Sequence, residues 1–348
     1  LSNMIDNYSF LNSIDFKVCD TRPTSEFFSS PQNIILLSTD NSVAEKILVM
    51  LKSYRNNQKY SHCFFPGILK ETDRQFSLFS EILNNSKCKI FILQNKLSEL
   101  KFLLEALDIA CISPNVQLFH NSSTVCHEVF SEINPRCLEN IVNIGISATQ
   151  THLSSKSDLT PQYFDSYRLG QMIHQMEVIN DAIAFADIVV ADISAIKQSD
   201  IPGRRNISSS GLSSEAFNHI ARNAGTGKSR VTVLTGLESL DPGDDIGIDT
   251  LAQFVFYFLD GAHSQSSGTD EEILSSYTID ECLPYESVNF LKSEFTGRWF
   301  AEFPTRLPDH LKKFQLIPCS YQDYQYSARG ELSPRILDIF KRLDELVN

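Results

Sequence analysis

Three stretches of this chain hold residue types whose spacing could do chemistry. Gly225-Thr226-Gly227-Lys228-Ser229 ends like a phosphate-binding loop, in which backbone N–H groups and a helix N-terminus cradle phosphate. That pattern needs a glycine five positions before Gly227, where Arg222 stands. A helical pattern precedes the stretch and a strand pattern follows it, so no helix dipole would face a phosphate. It reads instead as a helix end with Gly225 as its left-handed cap. Cys126-His127 joins a nucleophile to a base, but adjacent side chains point apart. The third stretch, 192–211, opens on Asp192 at the end of an apolar strand pattern, the place where parallel sheets put ligand-binding groups. Asp40, Asp200 and Glu238 are the other acidic residues expected near such strand ends. The eight histidines show neither H-x-H nor H-E-x-x-H spacing, and His152, His174 and His219 fall on separate elements.

The elements that would position these groups alternate. Short β-branched or aromatic runs at 33–37, 62–65, 88–93, 116–119, 140–146, 187–193, 230–234 and 288–291 predict strands, with one more at 299–303. Helical periodicity marks 42–54, 74–83, 97–107, 161–185, 213–223 and 250–259. Thr160 and Pro161 are placed as N-cap and first residue of the 161–185 helix. Segments 152–160, 202–214 and 261–276 are rich in Ser, Gly or Asp and read as loops. The expectation is a three-layer α/β/α fold with a mainly parallel central sheet of about eight strands. It occupies one domain over 1–348, with an irregular segment at 1–30.

Composition narrows the partners. Thirty Lys and Arg stand against 43 Asp and Glu, a formal charge of -13 that repels phosphate backbones and anionic membranes. No window nears the ~20 apolar residues of a membrane span. The opening Leu1-Ser2-Asn3-Met4 shows neither a basic leader nor an apolar core, so no secretory signal is expected. Eight cysteines are scattered without a C-x-x-C pair, which reads as reduced thiols in a cytoplasmic protein.

Asp192, Pro202, Gly203 and Gly211 stand at matching positions of a D-x-D-x-x-D-P-x-x-A-P-G signature with a later glycine pair. The stretch thereby resembles the ureohydrolase superfamily of arginases, agmatinases and formimidoylglutamases. Further matching pieces at 167–170, 236–242, 257–261, 291–299 and 318–324 look most like a bacterial formimidoylglutamase-like branch. Arg168 and Arg298 in these pieces read as partners of structural ion pairs. The resemblance covers nearly the whole chain, more weakly before about residue 140. It implies an arginase-like fold and, for active members, hydrolysis of a guanidinium or amidine carbon by hydroxide between two manganese ions. Two histidines and four aspartates hold that pair.

Carried over residue by residue, that ligand set is degenerate here. The G-G-D-H-S motif falls on 38–42, putting Asn41 at a histidine position. The D-A-H-x-D motif falls on 94–98, putting Gln94, Lys96 and Ser98 at aspartate, histidine and aspartate positions. In the third motif Asp192 survives and Ser194 replaces its partner. One carboxylate cannot neutralise two divalent ions, so no metal cofactor is expected; manganese belongs to the alternative reading. Lys96 is then expected to pair with Asp192 in place of the metal charge. Glu238 matches the glutamate that binds guanidinium in arginases, leaving two readings open: a strand-end structural residue, or a pocket for a small cationic or amidine ligand. The expected function is that of a non-catalytic ligand-binding or regulatory pseudoenzyme, a homo-oligomer (trimer or hexamer) by resemblance. The alternative is an active C–N hydrolase of formimidoylglutamase or arginase type with an atypical metal site.

Overall fold

A computed structural model describes residues 25–30, 33–39, 42–54, 63–69, 75–109, 115–121, 140–146, 164–174, 180, 183, 186–266, 274–294, 297, 299–308, 312 and 315–347. The backbone gathers into two compact units where the sequence pattern drew one: 1–174 with 185–266, and 175–184 with 267–348.

The first unit is built on an eight-stranded sheet: β1 (Ile34–Thr39), β2 (Cys63–Leu69), β3 (Lys89–Leu93), β4 (Asn115–Phe119), β5 (Asn140–Ile146), β6 (Phe164–Arg168), β7 (Ile188–Asp192) and β8 (Val231–Thr235). Their spatial order is β2-β1-β3-β8-β7-β4-β5-β6, and every pair is parallel. Parallel strands need crossovers, and crossover helices cover both faces, which is why the strands read as unbroken apolar runs.

Period-two alternation divides the strand residues between those faces. Ile35, Leu37, Ile90, Ile92, Val231, Val233, Ile188, Val190, Val116 and Leu118 share one core with helices α3 (Gln75–Asn85) and α4 (Leu100–Ile109). Those follow α1 (Ser25–Ser29) and α2 (Ser42–Ser53) in the chain. A short helix, α5 (Leu169–His174), leads on to α6 (Ser214–Thr226) and α7 (Asp245–Ser266). On the opposite face, Phe91 meets Phe258 with ring centres 4.9 Å apart, and Phe217 meets Phe254 at 4.4 Å, which docks α6 and α7. The expected three layers are therefore present.

Several elements depart from the sequence pattern. Within the 161–185 helix expectation, Phe164–Arg168 is a strand, because pairing with β5 gives its backbone ladder partners that local helical periodicity does not weigh. Leu169–His174 is helical; Thr160, Pro161 and 175–179 lie outside the described residues. Part of the expected irregular N-terminal segment is the helix α1. The expected loop after 261 is helical as far as Ser266.

Gly225 is not a left-handed cap. It lies inside α6, which closes at Gly227 with φ -74°. A Cβ at Gly225 would meet the Phe258 carbonyl, and one at Gly261 would meet the Arg222 carbonyl, so the two glycines let α6 and α7 cross backbone against backbone. The buried Lys89 ammonium donates to the carbonyls of Gly225 at 2.7 Å and Gly227 at 2.6 Å, placing a cation on the helix C-terminus. The resemblance to a phosphate loop thus resolves into a helix crossing and its cap.

The second unit holds an antiparallel sheet, ordered β12-β11-β10-β9, of β9 (Leu274–Asp280), β10 (Ser287–Ser293), β11 (Trp299–Glu302) and β12 (Leu316–Cys319). The sequence pattern had placed the 288–291 and 299–303 strands with the rest. Phe290, Trp299, Phe303 and Ile317 pack with Ile336, Phe340 and Leu343 of α9 (Pro334–Val347). Between them α8 (Tyr321–Ser327) opens on a capping box of Ser320 and Asp323. Burial alone would raise the pKa of Asp323, but the Arg335 guanidinium at 3.1 Å and donors on Ser320 and Ser333 hold it below the usual carboxylate range.

The glycine crossing gives a direct test. Gly225→Ala forces α6 and α7 apart and should destabilise the chain by ~1–3 kcal/mol, read as a lower urea midpoint at unchanged slope.

Candidate functional site

The register of the large sheet brings five polar residues into one row. Asp192 pairs laterally with Thr235, and one position beyond the pairs Ser38↔Leu93, Leu93↔Leu234 and Phe119↔Ala191 lie Thr39, Gln94 and His120. Thr39, Gln94, Thr235, Asp192 and His120 thus form the next rung above the apolar rungs, across β1, β3, β8, β7 and β4 at their carboxyl ends. Their exposures are 2%, 1%, 0%, 7% and 0%. Each strand ends by burying a polar side chain at the same level.

Asp192 is the acidic member. It caps the 3₁₀ turn Ile193–Ala195, with Oδ1 accepting the Ser194 N–H at 2.7 Å. Burial raises its pKa, opposed by its hydrogen bonds from Ser194 and the nearby Arg204 charge. Arg204 is itself buried and donates to the carbonyls of Ile193 and Ile196, both at 2.6 Å, and of Asn206 at 2.9 Å. Burial lowers its pKa, opposed by the charge on Asp192. Asn121, directly after His120, donates its backbone N–H to Ser194 Oγ at 3.1 Å and its side-chain amide to Ser208 Oγ and the Ser210 carbonyl. The loop after β7 is therefore fastened to the loop after β4.

Lys96 pairs with Glu238 at 3.4 Å, not with Asp192 as expected. The reason is strand order. β3 borders β8, and the N–H groups of Leu237 and Glu238 reach the carbonyls of Gln94 and Asn95, both at 3.4 Å. Asp192 lies one strand further on. Nor is Glu238 sequestered: its side chain is 51% exposed and that of Lys96 56%. Glu99, buried nearby, has its pKa raised by burial against the pull of the Asn95 and Lys96 N–H groups and the Lys96 charge.

Other expected residues are placed as follows. Ser194 lies beside Asp192, and Ser98 is exposed on the 3₁₀ turn Leu97–Glu99. Asp200 is a structural cap: its carboxylate accepts the Ser214 N–H of α6 at 2.8 Å and pairs with Lys197 at 3.4 Å. Burial would raise its pKa, but these partners and the Ser199 hydroxyl lower it. His219 is exposed on α6. Asp40, Asn41, Cys126, His127, His152 and Arg298 lie outside the described residues, as do the side chains of Arg168 and His174.

Strand order also redistributes the three motif segments. The 38–42 segment follows β1, three strands from β7 and so about 14 Å away at ~4.8 Å per strand. The 94–98 segment follows β3, two strands away. The loops flanking Asp192 come from β8 and β4, and the latter supplies His120 and Asn121, which the motif comparison passed over. One signal did point to them: they directly follow the correctly located 116–119 strand pattern.

A pair of divalent ions ~3.5–4 Å apart needs several converging anionic or imidazole ligands. Among the described residues no three His, Cys, Asp or Glu side chains gather in that way. The rung itself offers one carboxylate, one imidazole and three neutral side chains, a set that does not fit two manganese ions. The described cysteines, Cys63, Cys88, Cys282 and Cys319, are not joined in disulfides. No helix among the described residues is long and apolar enough to cross a membrane.

The sequence matches no protein-family model and no curated protein. The fold, however, is that of solved ureohydrolases. The formiminoglutamase of Trypanosoma cruzi superposes with a TM-score of 0.57 at 13% identity, over 70% of this chain and 99% of that one. Agmatine ureohydrolase of Thermoplasma volcanium gives 0.57 at 12%, over 74% and 98%. Formimidoylglutamase from Bacillus subtilis gives 0.55 at 14%, over 75% and 98%.

Two measurements follow. A carboxyl whose folded pKa is raised contributes stability that is complete below its unfolded value of ~3.9 and is lost as pH rises through the folded value. Urea unfolding across pH 3.5–8 should therefore show wild type losing stability relative to Asp192→Asn as pH rises. The half-exposed Lys96–Glu238 pair should show a coupling of ~0–1 kcal/mol in a double-mutant cycle of Lys96→Met and Glu238→Gln.

Proposed function

We propose that this chain is a ureohydrolase-superfamily protein without the dimanganese centre, one that binds a small ligand or regulates a partner rather than hydrolysing a guanidine or amidine. The observation that carries the reading is charge. In the buried rung at the strand ends, Asp192 is the one acidic side chain, flanked by Thr235 and His120, with Gln94 and Thr39 beyond Thr235. Acidifying a bound water needs a metal held there, and holding two divalent cations needs more negative charge than this rung carries. The T. cruzi formiminoglutamase, similar in fold, is known with Mn2+ bound.

Glu238 supports the ligand-binding half of the proposal. It stands at the carboxyl end of β8, half-exposed, with the Lys96 ammonium as an internal cation upon it. A small cationic or amidine ligand would bind by displacing Lys96, an inexpensive exchange because the pair is screened by solvent. The reading also takes the protein to be cytoplasmic and a homo-oligomer, a trimer or hexamer.

Metal content by plasma mass spectrometry after dialysis against manganese, with hydrolysis assays on formimidoylglutamate, arginine and agmatine, tests the proposal. Folded protein retaining well under one manganese per chain and showing no turnover is expected. Manganese retention with turnover of any of the three substrates refutes it and establishes a C–N hydrolase with an atypical site.

A further inference from the structure

Beyond that reading, the same rung holds an arrangement that the loss of a dinuclear centre does not explain. Gln94 Oε1 and Thr235 Oγ1 are buried without a hydrogen-bond partner in the protein. They sit on adjacent strands at the same level, and Asp192 follows Thr235 in register on the next strand. By period-two alternation all three residues lie on the face of the sheet that carries Ile92, Val233 and Val190. Leaving one buried polar atom unpaired costs ~1–3 kcal/mol, and here two stand next to each other beside a buried carboxylate.

The chemistry of the trio narrows what could satisfy it. All three offer oxygen: an amide carbonyl, a hydroxyl and a carboxylate. Ser194 holds the carboxylate through its backbone N–H, on Oδ1, and its side chain, which leaves part of the roughly four acceptor sites of a carboxylate open. Space is kept open beside it by Gly236, whose φ of 85° suits glycine and whose added Cβ would lie 3.2 Å and 3.3 Å from the two carboxylate oxygens. Arg204 approaches Asp192 electrostatically and directs three of its five N–H donors to loop carbonyls. Neighbouring strands lie ~4.8 Å apart, so the backbones of Gln94 and Asp192 stand ~9.6 Å apart on either side of Thr235, and a cation shared by all three needs the longer Gln94 and Asp192 side chains to lean toward the middle strand.

We propose that Gln94, Thr235 and Asp192 form a site for one monovalent cation, an alkali-metal ion or ammonium, at the carboxyl ends of β3, β8 and β7. The cation would bridge the three strand ends and offset the burial of the Asp192 carboxylate. It would bind the folded chain alone, because the three oxygens meet only through the strand register, and so it stabilises by mass action.

The test is thermal unfolding of the full chain at constant ionic strength, replacing choline chloride by KCl, NaCl or NH4Cl up to 200 mM. At least one ion should raise Tm progressively with concentration, by roughly 2–4 °C at 200 mM, and comparison of the three salts separates alkali-metal from ammonium binding. Gln94→Leu and the near-isosteric Thr235→Val should each fold and abolish the dependence on that ion, since each replaces a buried unpaired oxygen by an apolar group. If Gln94→Leu fails to fold, Thr235→Val carries the test. Rubidium-soaked crystals should show an anomalous peak between Gln94 Oε1 and Thr235 Oγ1. No dependence of Tm on any of the three salts overturns the proposal. So does a dependence that both variants retain.

Discussion

The lateral register of the parallel strands is the constraint on which the rest of this molecule depends. Parallel pairing fixes which residue stands beside which, and period-two alternation fixes the face each side chain enters. A slip of one residue in β8 would turn Val231 and Val233 out of the core they share with Ile90 and Ile92, and would turn Thr235 away from Asp192. Core and polar rung are consequently one arrangement. The apolar rungs hold the register, and the register holds the rung.

What surrounds the rung is fastened largely by backbone carbonyls and neutral side chains. Arg204 gathers three carbonyls of the loop after β7, and Asn121 ties that loop to the end of β4. Lys89 closes the end of α6 in the same manner. Cations directed at carbonyls give order without needing a carboxylate partner, which suits strand ends where acidic side chains are sparse. The charge pair of Lys96 with Glu238 near the rung is half-exposed and weak enough to be exchanged.

The scaffold and the chemistry have thus parted in their requirements. The fold that this chain shares with solved ureohydrolases at 12–14% identity is held here by apolar strand residues, a helix crossing and tight loops. None of these depends on four converging aspartates. Identity that low is enough to preserve alternation along strands, because Val, Ile and Leu replace one another in a core at little cost. A metal site tolerates no such exchange.

Much of the first unit was legible in the chain itself. Runs such as 116–119 and 188–190 announce buried strands, and the spacing of Ile47, Leu48 and Leu51 announces the helix between β1 and β2, because both patterns are local. That Asp192 closes an apolar strand was also legible. Strand order was not. The motif order along the chain placed 94–98 beside Asp192, whereas crossovers put β8 between them and brought His120 to Asp192 from β4 instead. Phe164–Arg168 became a strand, and Gly225 a crossing point rather than a cap, for the same reason. Lateral neighbours in a sheet, and helices that touch across it, are contacts between residues far apart in sequence, and local periodicity carries no record of which elements will meet.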